Sequence, residues 1–296
     1  MFYLIGLGLF DEKDVTVRGM EVIKNCSRVY LESYTSILMV GKERLEAFYG
    51  REIILADRDM VETESDAILE GAAQQDVALL IVGDPLGATT HTDIILRARE
   101  MHIPTQVVHN ASIMNAVGAT GLQLYNFGQA VSIPFWTENW KPDSWLARIE
   151  ENYKLGLHTL VLLDIKVKEQ SEENLLRGRK LYEPPRYMSP TVALSQIISA
   201  IETARSTSSE SSAITLSSEG SLAITLSRVG SSTQKLVAGT LAELASQPQE
   251  TFGDPLHAMV VVGKRLHPLE IDYAGVWAVD RESWVRVARE VYGVKD

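Results

Sequence analysis

Residues Val77 to Val82 read "VALLIV", six apolar residues without the polar alternation of a strand that has one wet face. Such a strand is buried on both sides, so it belongs inside a parallel sheet covered by helices and must lead into a crossover connection. It runs directly into "GDPLGATTHTD", Gly83 to Asp93, and then into the helix-like "IILRAREM". The rest of the first half repeats this grammar. "FYLIGL", "RVYLES", "EIILA" and "TQVVHN" are short apolar runs separated by helical patterns, giving about five strands before residue 125. Asp14 is expected to cap a first helix carrying Val22, Ile23 and Cys26 at three-to-four spacing, and Ser112 to cap a helix that starts in "ASIMNAVGATG".

A chain of 296 residues is long for one core, and the alternation restarts with "QAVSIPF", "HTLVLLDI", "SLAITLSRVG" and "AMVVVG". The expected division is an N-terminal α/β domain, residues 1–125, and a C-terminal α/β domain, residues 126–296. Two segments break the rhythm. "STSSESS", Ser206 to Ser212, reads as a polar loop, and "AITLS" occurs at Ala213–Ser217 and again at Ala223–Ser227 around "SEGSL", which suggests a hairpin. In the final "DRESWVRVAREVYGV", Trp284, Val287, Ala288 and Val291 fall on one helical face.

Acidic residues outnumber basic ones 39 to 28, a formal charge of -11, which disfavours nucleic acid or an anionic membrane as a broad partner. The single cysteine, Cys26, leaves no intramolecular disulfide framework and suits a reducing, cytoplasmic compartment. The opening "MFYLIGLGLF" has no basic residue before its apolar part and is followed by "DEKD", so it reads as a core strand and not as a signal peptide. No apolar run approaches the roughly 20 residues of a membrane span.

Chemistry is expected where the strands end. Gly6 and Gly8 in "GLGLFD" begin a dinucleotide fingerprint, but Asp11 stands where its third glycine belongs. In the turn after "VALLIV", Gly83 and Gly87 permit close backbone approach, and Pro85 holds Asp84 extended, which aims its carboxylate. Asp84, His91 and Asp93 supply only three potential metal ligands from one loop with nothing nearby to complete a site, so no metal is expected. Thr89, Thr90 and Thr92 read as backbone caps at a helix start. His109 and Asn110 follow "TQVV" and face the same end of the sheet, and His257 sits at the start of a later strand. There is no G-x-S-x-G elbow and no G-x-x-x-x-G-K-[ST] phosphate loop, which argues against serine hydrolysis and nucleotide-driven phosphoryl transfer.

"FYLIGLGLFDEKDVTVRGMEVIKNCSRVYLESYTS", "LLIVGDPLGATTHTDIILRARE", "HNASIMNAVGATGLQLYNFGQAVSIPFW", "HTLVLLDIKVKEQ" and "YEPPRYMS" resemble, in order, the diphthine synthases, methyltransferases of diphthamide biosynthesis. The likeness is dense to about residue 200, resumes at "SLAITLSRVGSSTQKLVAGTL" and "DPLHAMVVVG", and fails over the Ser-rich loop. It implies a two-domain tetrapyrrole-methylase-like α/β fold, a homodimer, with S-adenosylmethionine held between the domains. The cofactor contacts it implies are Leu9 after the glycine turn, Asp84 and Gly87, Ser112 with Ile113 in "NASIM", Leu163 in "VLLDI", Leu222 in "GSLAITL" and His257 in "PLHAM". No catalytic residue is implied. The substrate it implies is translation elongation factor 2, on a histidine bearing a 3-amino-3-carboxypropyl group whose amine is methylated repeatedly. The segment "IKVKEQSEENLLRGRKLYEPPRYMS" resembles eukaryotic members, which also esterify the carboxylate.

Three other readings compete: methylation of a small tetrapyrrole, a nicotinamide dehydrogenase resting on Gly6 and Gly8 alone, and a non-catalytic module that keeps the cofactor cleft. None of them accounts for the ordered likeness over both halves. Against the acidic background, Lys166, Lys168, Arg177, Arg179, Lys180 and Arg186 form a basic cluster expected to dock the protein substrate or its bound RNA.

Overall fold

The computed structural model describes residues 1–34, 37–167, 177, 182–207 and 214–295. The chain forms two compact units, Met1–Ala116 with Ile165–Arg186, and Val117–Asp164 with Tyr187–Asp296.

The first unit is built on five strands, β1 (Phe2–Gly6), β2 (Arg28–Glu32), β3 (Ile54–Ala56), β4 (Val77–Ile81) and β5 (Thr105–Val108), in the order β3-β2-β4-β1-β5 with every pair parallel. β4, the "VALLI" of the uninterrupted apolar run, lies between β2 and β1 and is buried at all five positions. Helices cover both faces, as such a strand requires. On one face α1 (Val17–Asn25) and α2 (Lys42–Tyr49) set Ile23, Leu45 and Tyr49 against Ile5, Val29 and Leu80. On the other α3 (Ser65–Leu69) and α4 (Thr92–Glu100) set Ile68, Ile94 and Ala98 against Leu4, Leu79 and Ile81. Each fully buried aliphatic side chain here contributes about 1.5–3 kcal/mol of transfer free energy. β1 therefore leads to a helix on one face, while its neighbour β4 leads to a helix on the other, and a crevice opens at the carboxyl ends of this pair.

The cap of α1 differs from expectation. Thr16 accepts from Gly19 N at 2.9 Å, whereas Asp14 turns back to accept from Leu9 N (3.2 Å) and Phe10 N (2.8 Å). A carboxylate two residues upstream of the cap satisfies the loop's orphan donors better than those of the helix.

The second unit is a mixed sheet of β6 (Val131–Ile133), β7 (Thr159–Leu163), β10 (Leu222–Ser227), β11 (Lys235–Thr240) and β12 (His257–Val261), ordered β11-β10-β12-β7-β6. Only β6 and β7 run parallel. The other neighbours are antiparallel, so the strand-helix alternation of the first half does not carry through. Packed on it are α6 (Ser144–Leu155), α7 (Pro190–Thr207), α8 (Leu241–Ala245), α9 (Pro268–Ala274) and α10 (Arg281–Glu290); α5 (Ile113–Ala116) ends the first unit. The short β8 (Ile165–Lys166) and β9 (Arg186–Tyr187) pair with each other. In α10, Trp284, Val287 and Ala288 are buried, while Val291 lies past the helix end and is exposed.

The expected hairpin of the two "AITLS" copies does not form. Both edges of the second copy, β10, are taken by β11 and β12. The described part of the first copy is instead captured by Glu150, whose carboxylate accepts from Thr215 N (2.8 Å), Thr215 Oγ1 and Leu216 N (3.2 Å). Ala213 and most of the Ser-rich loop, Ser208, Ser209, Ser211 and Ser212 with Glu210, lie outside the described residues. Among the described residues no helix is long and apolar enough to cross a membrane.

Candidate functional site

The first unit gathers its polar groups beyond the carboxyl ends of β1, β4 and β5. Gly8 and Gly83, both with positive φ (80° and 78°), form a bridge, with Gly8 N donating to Gly83 O (3.2 Å) and Gly83 N to Gly8 O (2.7 Å). That conformation suits glycine because it lacks a Cβ. The two glycine loops read from the sequence are thus one paired structure. Asn110 closes the third side: its Nδ2 donates to Gly6 O and Asp14 O, each at 2.9 Å, and its Oδ1 accepts from Ala111 N. With both donors and the acceptor used inside the chain, Asn110 acts as a brace.

Asp84 is held in that frame. Oδ1 accepts from Leu86 N (2.9 Å), and Oδ2 from Asn110 N (3.0 Å) and the His109 Nδ1 position (2.8 Å). Of the roughly four acceptor positions of a carboxylate, three are occupied by the chain, and one remains for a ligand donor. Burial alone would raise its pKa, but the two amides and His109 outweigh it and hold the carboxyl below its ordinary range. The result is a fixed negative charge that is a weak proton acceptor. His109 is the exposed partner of the pair, with a side chain 66% exposed.

Gly87 packs on Ser112 so closely that a Cβ would stand 2.7 Å from Ser112 Oγ. Ser112 is buried at the head of α5; its Oγ accepts from Met114 N (3.3 Å), as the capping expectation required, and Asn115 Oδ1 accepts from Ser112 N (2.9 Å). Leu9 and Ile113 are half-buried beside these groups in the chain. The three threonines do not cap α4 with their side chains. Thr89 Oγ1 donates to Pro85 O (2.7 Å), and the cap position is His91, which makes no side-chain cap bond. His91 is buried, with Nδ1 3.3 Å from Pro85 O and Nε2 without a hydrogen-bond partner among the described residues. Burial depresses its pKa. Asp93 pairs with Arg97 on α4 at 3.4 Å, so Asp84, His91 and Asp93 each face different groups. Among the described residues no cluster of three or more His, Cys, Asp or Glu could hold a metal ion.

In the second unit the register decides which residues meet. Ser227 pairs with His257 across β10 and β12, and Leu162 pairs with Ala258, which sets Leu163 opposite His257. Leu163 and His257 therefore share one row of the sheet. Leu222 begins β10 at the opposite end, about 17 Å from that row at ~3.3 Å per residue. It is fully buried; its N donates to Tyr292 Oη (2.7 Å), and its carbonyl accepts from Val262 N (2.9 Å). Sequence reasoning missed Ser227, whose Oγ lies 2.7 Å from His257 Nδ1. The two are 30 residues apart in the chain, and only the strand pairing joins them. Burial, then the charge of Arg228, with Asp254 partly opposing, push the His257 pKa down to about 4. The imidazole is neutral at physiological pH. Burial likewise pushes the Cys26 thiol up to about 11, which removes it as a nucleophile. Of the basic cluster, Lys168, Arg179 and Lys180 lie outside the described residues, and Arg186 pairs with Glu183 at 3.6 Å.

The donor set of the first unit suits a ligand that carries hydrogen-bond donors beside apolar surface: a fixed carboxylate with one open acceptor position, a serine hydroxyl beside a glycine that leaves no side chain in the way, and half-buried Leu9 and Ile113. The sequence profile of the Tetrapyrrole (Corrin/Porphyrin) Methylases matches residues 1–245. The chain is 56% identical over 289 residues to the diphthine methyl ester synthase of Schizosaccharomyces pombe, covering 98% of each chain. It is 53% identical over 283 residues to that of Homo sapiens, covering 96% of this chain and 97% of the human one. A solved diphthine synthase structure aligns with a TM-score of 0.78 at 29% identity, over 97% of this chain and 98% of that one.

Proposed function

We propose, from the premise that this chain belongs to the tetrapyrrole methylase family and within it to the diphthine methyl ester synthases, that it transfers methyl groups from S-adenosylmethionine to translation elongation factor 2. The acceptor is the 3-amino-3-carboxypropyl-histidine of that factor, methylated repeatedly on its amine and finally on its carboxylate as a methyl ester. The observation that carries this reading is the match of nearly the whole chain to enzymes of that name at more than half identity. The protein is read as a cytoplasmic homodimer, with elongation factor 2 as partner and no direct nucleic-acid contact.

When bound, S-adenosylmethionine supplies an activated methyl group on a sulfonium whose thioether leaves neutral. The chain then has to orient more than to activate, and alignment alone is worth up to about 7–11 kcal/mol of barrier. Leu9, Asp84, Gly87, Ser112 and Ile113 are the proposed cofactor contacts of the first unit. Asp84 offers its remaining acceptor position to a ligand hydroxyl or ammonium, and Asn110 keeps it in place. Leu163 and His257 are the proposed contacts of the second unit. Leu222 is left out, because its backbone groups and side chain are all occupied within the sheet. Asp84, held ionised, and His257, held neutral, are both weak bases, so their role is binding. An ionised substrate carboxylate needs no base, which suits an ester-forming last step.

The test is incubation of elongation factor 2 carrying the aminocarboxypropyl-histidine with this protein and S-adenosylmethionine, followed by intact-mass analysis, with a porphyrin or corrin precursor as the competing acceptor. Stepwise methyl gains on the histidine, the last removable by mild base, are expected. Methylation of the tetrapyrrole with no gain on the factor would overturn the reading.

A further inference from the structure

The Ser227–His257 contact stands at the end of β10 and β12, with the two residues directly paired in register and Oγ 2.7 Å from Nδ1. The direction of that bond follows from what else each group can reach. Ser227 is 1% exposed, and its hydroxyl has no other partner among the described residues. A hydroxyl carries one proton and two acceptor positions. If Nδ1–H donated to Oγ, the hydroxyl proton would be left buried without an acceptor, a loss comparable to a hydrogen bond. If Oγ–H donates to Nδ1, the hydroxyl is satisfied and the ring proton must sit on Nε2.

Burial and the neighbouring Arg228 charge keep the ring neutral, with a single proton to place. Arg228 is itself anchored by Asp254 (3.4 Å) and by the Pro255 carbonyl (2.8 Å), so its charge stays beside the strand end. Nε2 of His257 has no hydrogen-bond partner among the described residues.

We infer that Ser227 is a positioning residue which, by donating to Nδ1, locks His257 as the Nε2–H tautomer and makes it a fixed hydrogen-bond donor to an acceptor atom of the cofactor's nucleoside, a ring nitrogen or a hydroxyl oxygen. This rests on the reading that His257 contacts S-adenosylmethionine. It assigns His257 the complement of Asp84: the one offers a donor and the other an acceptor, and both are oriented by hydrogen bonds within the chain.

The experiment is nitrogen-15 NMR of the full-length, histidine-labelled protein, free and saturated with S-adenosylhomocysteine, the His257 signals being assigned by their loss in His257→Gln. In the free protein at neutral pH, Nδ1 is expected to resonate as an unprotonated nitrogen and Nε2 as a protonated one, and the ligand is expected to shift Nε2. Ser227→Ala is expected to release the ring to a tautomer mixture and to weaken S-adenosylhomocysteine about tenfold, the loss of one oriented hydrogen bond. Ser227→Thr, which keeps the hydroxyl, is expected to restore both. A protonated Nδ1 in the unsubstituted protein overturns the inference without need of any variant, as does a Ser227→Ala protein with unchanged tautomer and affinity. The expected tautomer with an Nε2 signal unmoved by ligand that calorimetry shows to be bound overturns the contact between His257 and the cofactor instead.

Discussion

In the first unit the chemically equipped side chains stand on loops beyond the ends of a parallel sheet, whereas in the second they stand on the strands themselves. A loop residue has no ladder to aim it, so Asp84 is aimed by other loops: two amides, the His109 ring and the Asn110 brace tie the ends of β1, β4 and β5 together. A strand residue is aimed by register, and His257 needs only the residue opposite, Ser227. Both units bury carboxylates among apolar side chains. In the first, Glu32, 1% exposed, accepts from Tyr34 N (2.9 Å) beside aliphatic and aromatic cores on both faces of the sheet. The second buries carboxylates as tie points: Glu270, 1% exposed, accepts from Gln123 N (2.7 Å) and His267 N (2.6 Å) and meets His158 Nε2 at 3.3 Å. His158 Nδ1 accepts from Gly263 N (3.0 Å), so the ring proton sits on Nε2 and donates to Glu270.

The largest expected effect breaks that polar core. Glu270→Ala strands two amide donors and the His158 ring in a dry interior, and should cost about 3–5 kcal/mol in urea unfolding. A loss under about 1 kcal/mol would show that the second unit does not depend on its buried carboxylate. Next comes the loop frame. Gly8→Ala puts a Cβ 2.6 Å from that of Asp14 at a φ of +80°, and should cost about 2 kcal/mol while weakening S-adenosylmethionine binding measured by calorimetry. Stability with intact binding would show that the glycine pairing does not shape the site.

Acidification should cost stability through single groups of both units, buried His91 of the first acting in the same direction as His257 of the second. His257 has a folded pKa of about 4 against an ordinary 6.5, so the unfolded chain takes up its proton first. Stability from this group is complete above about pH 6.5 and is lost as pH falls towards 4. Asp84, Glu150 and Glu270 are all held below their ordinary values by hydrogen bonds that outweigh burial. Their contribution is present above those ordinary values, 3.8 for the aspartate and 4.5 for the glutamates, and is lost as pH falls through the folded ones. Denaturant midpoints at pH 7, 5.5 and 4 should therefore decline in the upper interval for the unsubstituted protein and stay flatter there in His257→Gln. The smallest effect is a cap: Thr16→Ala should cost about 1 kcal/mol, read from the same midpoints.

What the sequence disclosed follows the same division. β4, buried at every position, announces itself as an unbroken apolar run, and the other four strands of the first unit also stand where their short runs predict, although β3 is exposed at two of its three positions. In the second, "KLVAGT" opens on a lysine and carries a glycine, and β11 has no such run to mark it. The first "AITLS" copy has the same local preference as the second; what keeps it out of the sheet is Glu150, some 65 residues earlier, which no local pattern reveals. Ser227 and the distance between Leu222 and His257 were hidden for the same reason, since both depend on register between distant strands. Asp84 was legible because a proline, two glycines and a strand end converge on it within five residues.

The most direct test of the cofactor contacts proposed for each unit is calorimetric titration of S-adenosylmethionine into the unsubstituted protein, Asp84→Ala and His257→Ala. One molecule bound per chain, with both variants folded and each about tenfold or more weaker, is the expected result. Unchanged affinity in either folded variant would contradict the account for that unit.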